Sequence, residues 1–162
     1  MGSILSSSSS SEDSCPFIFV NYDDILSLIH GQQMKNGKRI YLINTLKESE
    51  QDCLLPHTLP MKEETSLMNT ILNENKTHEI IIFIYGKNCH DISIYKKFHQ
   101  LKYLGFPFVY LYGGGLFEWL CLQEIYGFDM FQTTKKELDI IRYTPQSNFH
   151  NLLQLSSSPS HP

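Results

Sequence analysis

No run of about 18 or more apolar residues occurs in the chain, and it does not open on a basic stretch followed by an apolar one, so neither a spanning helix nor a secretory signal is expected. Positive charge is also scarce. Thirteen lysines and arginines stand against 17 acidic residues, leaving a net charge of -4 and no basic footprint to neutralise phosphates; nucleic acid is not an expected partner. The four cysteines, Cys15, Cys53, Cys89 and Cys121, form no CxxC pair and show no metal-ligand spacing with the seven histidines. Neither a metal nor a cofactor follows from them, and a cytoplasmic setting with reduced thiols is the expectation. There is no internal repeat and no Pro/Gly-rich linker, and 41% hydrophobic content over 162 residues suits one packed core.

What is present begins with an address. "MGSILS" fits the pattern M-G-x-x-x-[ST], in which removal of Met1 exposes the Gly2 amine for N-myristoylation and Ser6 stands at the required place. The expected consequence is peripheral attachment to the cytosolic face of a membrane; the alternative is an unmodified serine-rich tail. One myristoyl chain binds a bilayer only marginally, so a second signal is called for. Ser and acidic residues dominate positions 6–14, and a polybasic signal is missing there. Cys15 is either a second acylation site or a small residue buried at the start of the fold. Residues 1–14 are thus expected to be a disordered Ser-rich arm, 15–145 the domain, and 146–162 a disordered tail ending in "SSSPSHP".

Between the tails, strand-like and helix-like patterns alternate. "FIFV" at 17–20 predicts a strand, and a helix follows with Asn21 or Asp23 as its N-cap, Ile25, Leu28 and Ile29 inward and Gly31 closing it. "RIYLIN" at 39–44 is a second strand, and Leu67, Met68, Ile71 and Leu72 have helical spacing. Ile80 to Ile84 are apolar without alternation, as in a central strand of a parallel sheet buried on both faces. A helix with Ile94, Phe98, Leu101 and Leu104 inward comes next, ended by Gly105, and then the strand "FVYLY". Gly113 to Gly115 turn the chain into a helix with Leu116, Trp119, Leu120 and Gln123 on one side and Gly127 at its end. Thr134 and Glu137 read as the capping box of a last helix. The order predicts an α/β fold, a parallel sheet flanked by helices.

The chemistry-bearing stretch is "FIYGKNCHD", 83–91, where the central strand opens into a polar loop. Tyr85, the loop from Gly86, the helix ending at Gly105 and Phe106, the strand Val109 to Tyr112, the turn Gly113 to Gly115, and Glu118 with Trp119 follow in an order that resembles the rhodanese-like domain family. The earlier half is looser: Asn44, Thr45 and Leu46 stand where members often carry "DVR", and of "GHIPGA" only Leu55 and Pro56 read through. The resemblance implies a loop whose backbone N–H groups cradle a thiolate and its persulfide at the end of the central strand. Gly86 stands at that position, so it also implies a member without the usual catalytic cysteine, acting as a binding or regulatory module with an unidentified protein partner. The alternative is a thiosulfate or persulfide sulfurtransferase using Cys89, three residues further on. Asp91 would raise the pKa of that thiol and His90, if protonated, would offset it. Gly86, Lys87, Asn88, Cys89, His90 and Asp91 together form a candidate anion-binding loop, with Lys87 assisting the backbone nest. The loop has phosphatase-like length but no arginine to grip a phosphoryl group. Other features have structural readings: Gly113 to Gly115 as a sharp turn, Trp119 as a core anchor, and Lys135 with Lys136 as a solvated pair. Glu118 and Glu124 lie on different helix faces and make no acid–base pair.

Overall fold

The computed structural model describes residues 16–31 and 34–149. The first strand, β1 (Phe19–Val20), is shorter than the apolar run that announces it, and Phe17 and Ile18 precede it in extended chain. Helix α1 (Tyr22–Ile29) starts at Asn21, whose side chain accepts from the Asp23 and Asp24 amides while the Asp24 carboxylate takes the Asn21 N–H. This reciprocal cap satisfies donors that a helix start otherwise leaves to solvent. The chain then forms a hairpin: β2 (Met34–Lys35) pairs antiparallel with β3 (Lys38–Asn44) across Asn36 and Gly37, both at positive φ. That Asn-Gly turn is the kind two-residue hairpins require.

Helix α2 (Met61–Asn73), strand β4 (Ile80–Tyr85), helix α3 (Ser93–Tyr103), strand β5 (Phe108–Tyr112) and helix α4 (Gly115–Tyr126) complete the regular elements. The sheet order is β1-β5-β4-β3-β2, parallel except for the hairpin, so the apolar strand β4 is central as its composition requires. Its side chains alternate between two cores. Ile80, Ile82 and Ile84 pack with Met68, Ile71, Ile94 and Phe98 of α2 and α3, and Tyr85 packs on the opposite face with Ile25, Leu116, Trp119 and Leu120 of α1 and α4. The result is one α/β domain with helices on both faces of the sheet.

Two expectations at element ends are corrected. Leu104 is exposed, because α3 stops one residue earlier and Gly105, at φ +91°, carries the chain away from the core. No helix begins at Thr134. Its N–H donates to Leu54 O (2.8 Å), its hydroxyl oxygen accepts the Leu54 N–H (2.9 Å), and the stretch is an extended strap with a 3-10 turn only at Ile140–Tyr143. The pairing with residues 52–54 removes the cap before a helix can use it. Glu137 instead accepts from the Asp139 N–H and contacts Arg142 and the Tyr143 hydroxyl.

Candidate functional site

The loop after β4 sits at the carboxyl ends of the parallel strands, where open α/β sheets form their binding crevice. Its floor is rigid. Tyr85 is fully buried, its hydroxyl accepts the Leu55 N–H (3.2 Å) and lies 2.9 Å from the Thr58 hydroxyl, and burial pushes its pKa far above the usual tyrosine range. Asn44, at the end of β3, is buried and exchanges hydrogen bonds with Gln51 (2.7 and 3.1 Å) while accepting the Leu46 N–H. Thr45 N–H donates to Tyr85 O across the strand ends (3.0 Å).

Gly86 follows, and the space its side chain would take is filled. A Cβ at 86 would lie 2.4 Å from Asp91 Oδ2 and 2.9 Å from a methyl of Ile94. The Asp91 carboxylate turns back into the loop, accepting the Lys87 N–H on Oδ2 (2.8 Å) and the Ser93 N–H on Oδ1 (3.0 Å). Ser93 Oγ lies 2.5 Å from that Oδ1 and 2.6 Å from Thr45 Oγ1, tying the carboxylate to the end of β3. The Asp91 carboxylate thus lies where a side chain at 86 would stand. Asp91 has a side-chain acceptor's place at the start of α3, which its setting two residues before Ser93 could have signalled in the sequence.

The remaining loop residues also have engagements. Lys87 Nζ points away from the cradle to Glu50 Oε1 (2.9 Å), over the Tyr143 ring; partial burial works against it, yet this ammonium holds the Glu50 carboxyl below the ordinary range. Lys87, expected to help a loop-bound anion, is engaged in an ion pair that the sequence did not signal, since Glu50 is 37 residues away. Asn88 is buried, donating to Tyr143 O (2.8 Å) and accepting the His90 N–H (3.0 Å). Gly115 explains the triple glycine. At φ +63° its hydrogen faces the loop so closely that a Cβ would stand 2.6 Å from Gly86 O and 2.9 Å from Asn88 N. The first turn of α4 donates there too, Leu116 N–H to Gly86 O and Phe117 N–H to Lys87 O. Those amides are used inside the fold.

A cleft of about 680 Å³ opens beside the loop, lined by Thr45, Lys47, Glu50, Lys87, His90, Asp91 and Ser93, and closed on one side by Arg142, Thr144 and Gln146 of the strap. Cys89 is exposed and not part of the lining. Cys53 is buried, and burial pushes its thiol up to about 11; burial likewise raises the Cys121 thiol. Among the described residues no group of three His, Cys, Asp or Glu side chains is placed to hold a metal ion, and no helix is long and apolar enough to cross a membrane. Gly2 and Cys15 lie outside the described residues.

No family model matches the chain, and no curated protein matches it. A solved structure with which it can be superposed is the BH2092 protein from Bacillus halodurans, at a TM-score of 0.49 and 18% identity, covering 68% of this chain and 74% of that one.

Proposed function

We propose that the chain is a rhodanese-like domain without a catalytic cysteine, acting as a binding or regulatory module for a protein partner and tethered through a myristoylated Gly2 to the cytosolic face of a membrane. The observation that carries the first half is the filled place at Gly86. A persulfide-forming thiol there would need a side chain where the Asp91 carboxylate lies, and an incoming sulfur anion would meet that same negative charge. Cys89, the other candidate, is exposed and stands outside the lining of the cleft. The lipid half rests on the "MGSILS" pattern.

The deciding measurement is intact mass after incubation with thiosulfate or a low-molecular-weight persulfide, followed by tryptic mapping. The expected result is no stable sulfur adduct on Cys89 and no thiocyanate formed from thiosulfate and cyanide above the level of a Cys89→Ser control. Turnover that disappears in Cys89→Ser would establish the sulfurtransferase instead.

A further inference from the structure

Among the described residues, the edge of the sheet nearest the amino-terminal arm is uncovered and apolar. Among the described residues β1 pairs only with β5, and Phe19 on it and Ile18 just before it are 54% and 52% exposed. Phe17, also exposed, stacks edge-on against Tyr95 and Phe98 of α3, and Phe19 covers Gly113. Three residues beyond Phe19, Tyr22 meets the Phe131 ring, which Tyr126 from the end of α4 also contacts, and both tyrosines are exposed. The segment 16–21, "PFIFVN", has no ionisable side chain, whereas the strand at the opposite edge of the sheet, β2, carries Lys35. An edge strand facing water ordinarily has such a charged guard.

We infer that this edge is a membrane-contact surface, which inserts Ile18 and Phe19, with Tyr22 at the interface, into an uncharged bilayer and supplies the second signal that a single myristoyl chain needs. The inference rests on the tethered reading. Its physical basis is where the arm ends. Thirteen residues lie between Gly2 and Pro16, a reach of about 50 Å when fully extended, and the arm joins the domain immediately before Phe17 to Phe19, which puts this edge at the root of the tether. A myristoyl chain alone binds with an association constant of about 10⁴ M⁻¹, and arm residues 6–14 add acid where a polybasic signal would be. Aromatic and branched aliphatic side chains settle at the headgroup boundary without a basic patch, and tyrosine presents an apolar body with a polar tip. The net charge of -4 favours a neutral lipid surface over an anionic one.

The test is sedimentation with phosphatidylcholine vesicles of the full chain, prepared with and without N-myristoyltransferase and checked by intact mass. Ile18→Ser and Phe19→Ser are made singly, with thermal melts to verify folding. Because both side chains are half in solvent, both variants fold, and Gly113 remains available to accommodate either residue at 19. Myristoylated Ile18→Ser and Phe19→Ser are expected to partition at least tenfold less than myristoylated wild type, as burial of such side chains in an apolar phase predicts. Equal partitioning of the lipidated variants and lipidated wild type overturns the surface while leaving the tether intact. If the transferase leaves Gly2 unmodified, the tether fails, and the surface stands only where unlipidated wild type still binds more than its two variants. A wild type that is dimeric in sedimentation velocity, is dispersed by either substitution and ignores vesicles shows a self-interface in place of a membrane surface.

Discussion

At the scale of single residues, Gly86 is informative for what surrounds it. The sequence shows a missing nucleophile at the end of a strand; the structure adds that Asp91 has taken the space, so a side chain cannot simply be put back. Gly86→Ala is expected to cost about 1–3 kcal/mol by overpacking, since the Asp91 carboxylate is held on two sides and Ile94 is buried. Asp91→Ala frees that space, so the cost of Gly86→Ala should shrink by at least about 0.5 kcal/mol in the Asp91→Ala background. Urea unfolding of the four proteins measures it, and strict additivity would mean that the two residues do not compete for one place. Gly86 was legible because a strand end followed by a glycine is a local pattern. Asp91 was read only as a charge near a thiol; its place just before α3 could have signalled the bond to the Ser93 amide, but not the bond to the Lys87 amide that turns the carboxylate over Gly86.

At the scale of elements, the stretch from Gly127 to Thr144 separates what sequence periodicity can and cannot give. "TKKELDIIRY" carries a capping signature and apolar residues, yet Leu138 and Ile141 are exposed and the only helical turn is 3-10, so no apolar stripe was available to hold a helix on the core. Backbone groups of the strap are instead satisfied at a distance: Gln132 O accepts from Trp119 Nε1 (2.9 Å), Phe131 O from Gln123 Nε2, and Thr134 bridges to Asp52 and Leu54. By contrast β4 was legible as an unbroken apolar run, α3 from the spacing of Ile94, Phe98 and Leu101, and α4 from Leu116, Trp119, Leu120 and Gln123 between two glycines. Thr134→Val keeps the shape and removes the hydroxyl, leaving the Leu54 N–H to water, and is expected to cost about 0.5–1.5 kcal/mol. The same substitution should raise amide hydrogen exchange at Leu54 and in 131–134 while leaving α3 unchanged; a uniform rise across both would place the strap's role elsewhere.

At the scale of the whole molecule, the two apolar cores are separate in contact but share one sheet. Leu120 lies with Trp119 and Tyr85 on the α1/α4 face, Leu101 with Phe98 and Ile82 on the α2/α3 face, and β4 contributes side chains to both. Its position between β3 and β5 means that losing either face exposes the strand that the other face needs, and so unfolding is expected to be a single transition. The single tryptophan reports from one face only, which makes the expectation checkable without a label. Leu101→Ala and Leu120→Ala, both fully buried sites, should each cost about 2–5 kcal/mol. In each variant Trp119 fluorescence and far-ultraviolet circular dichroism should lose signal at one shared urea midpoint. If Leu101→Ala lowers the dichroism midpoint while Trp119 fluorescence stays at the wild-type value, the faces unfold independently, and the strand between them is not the coupling element.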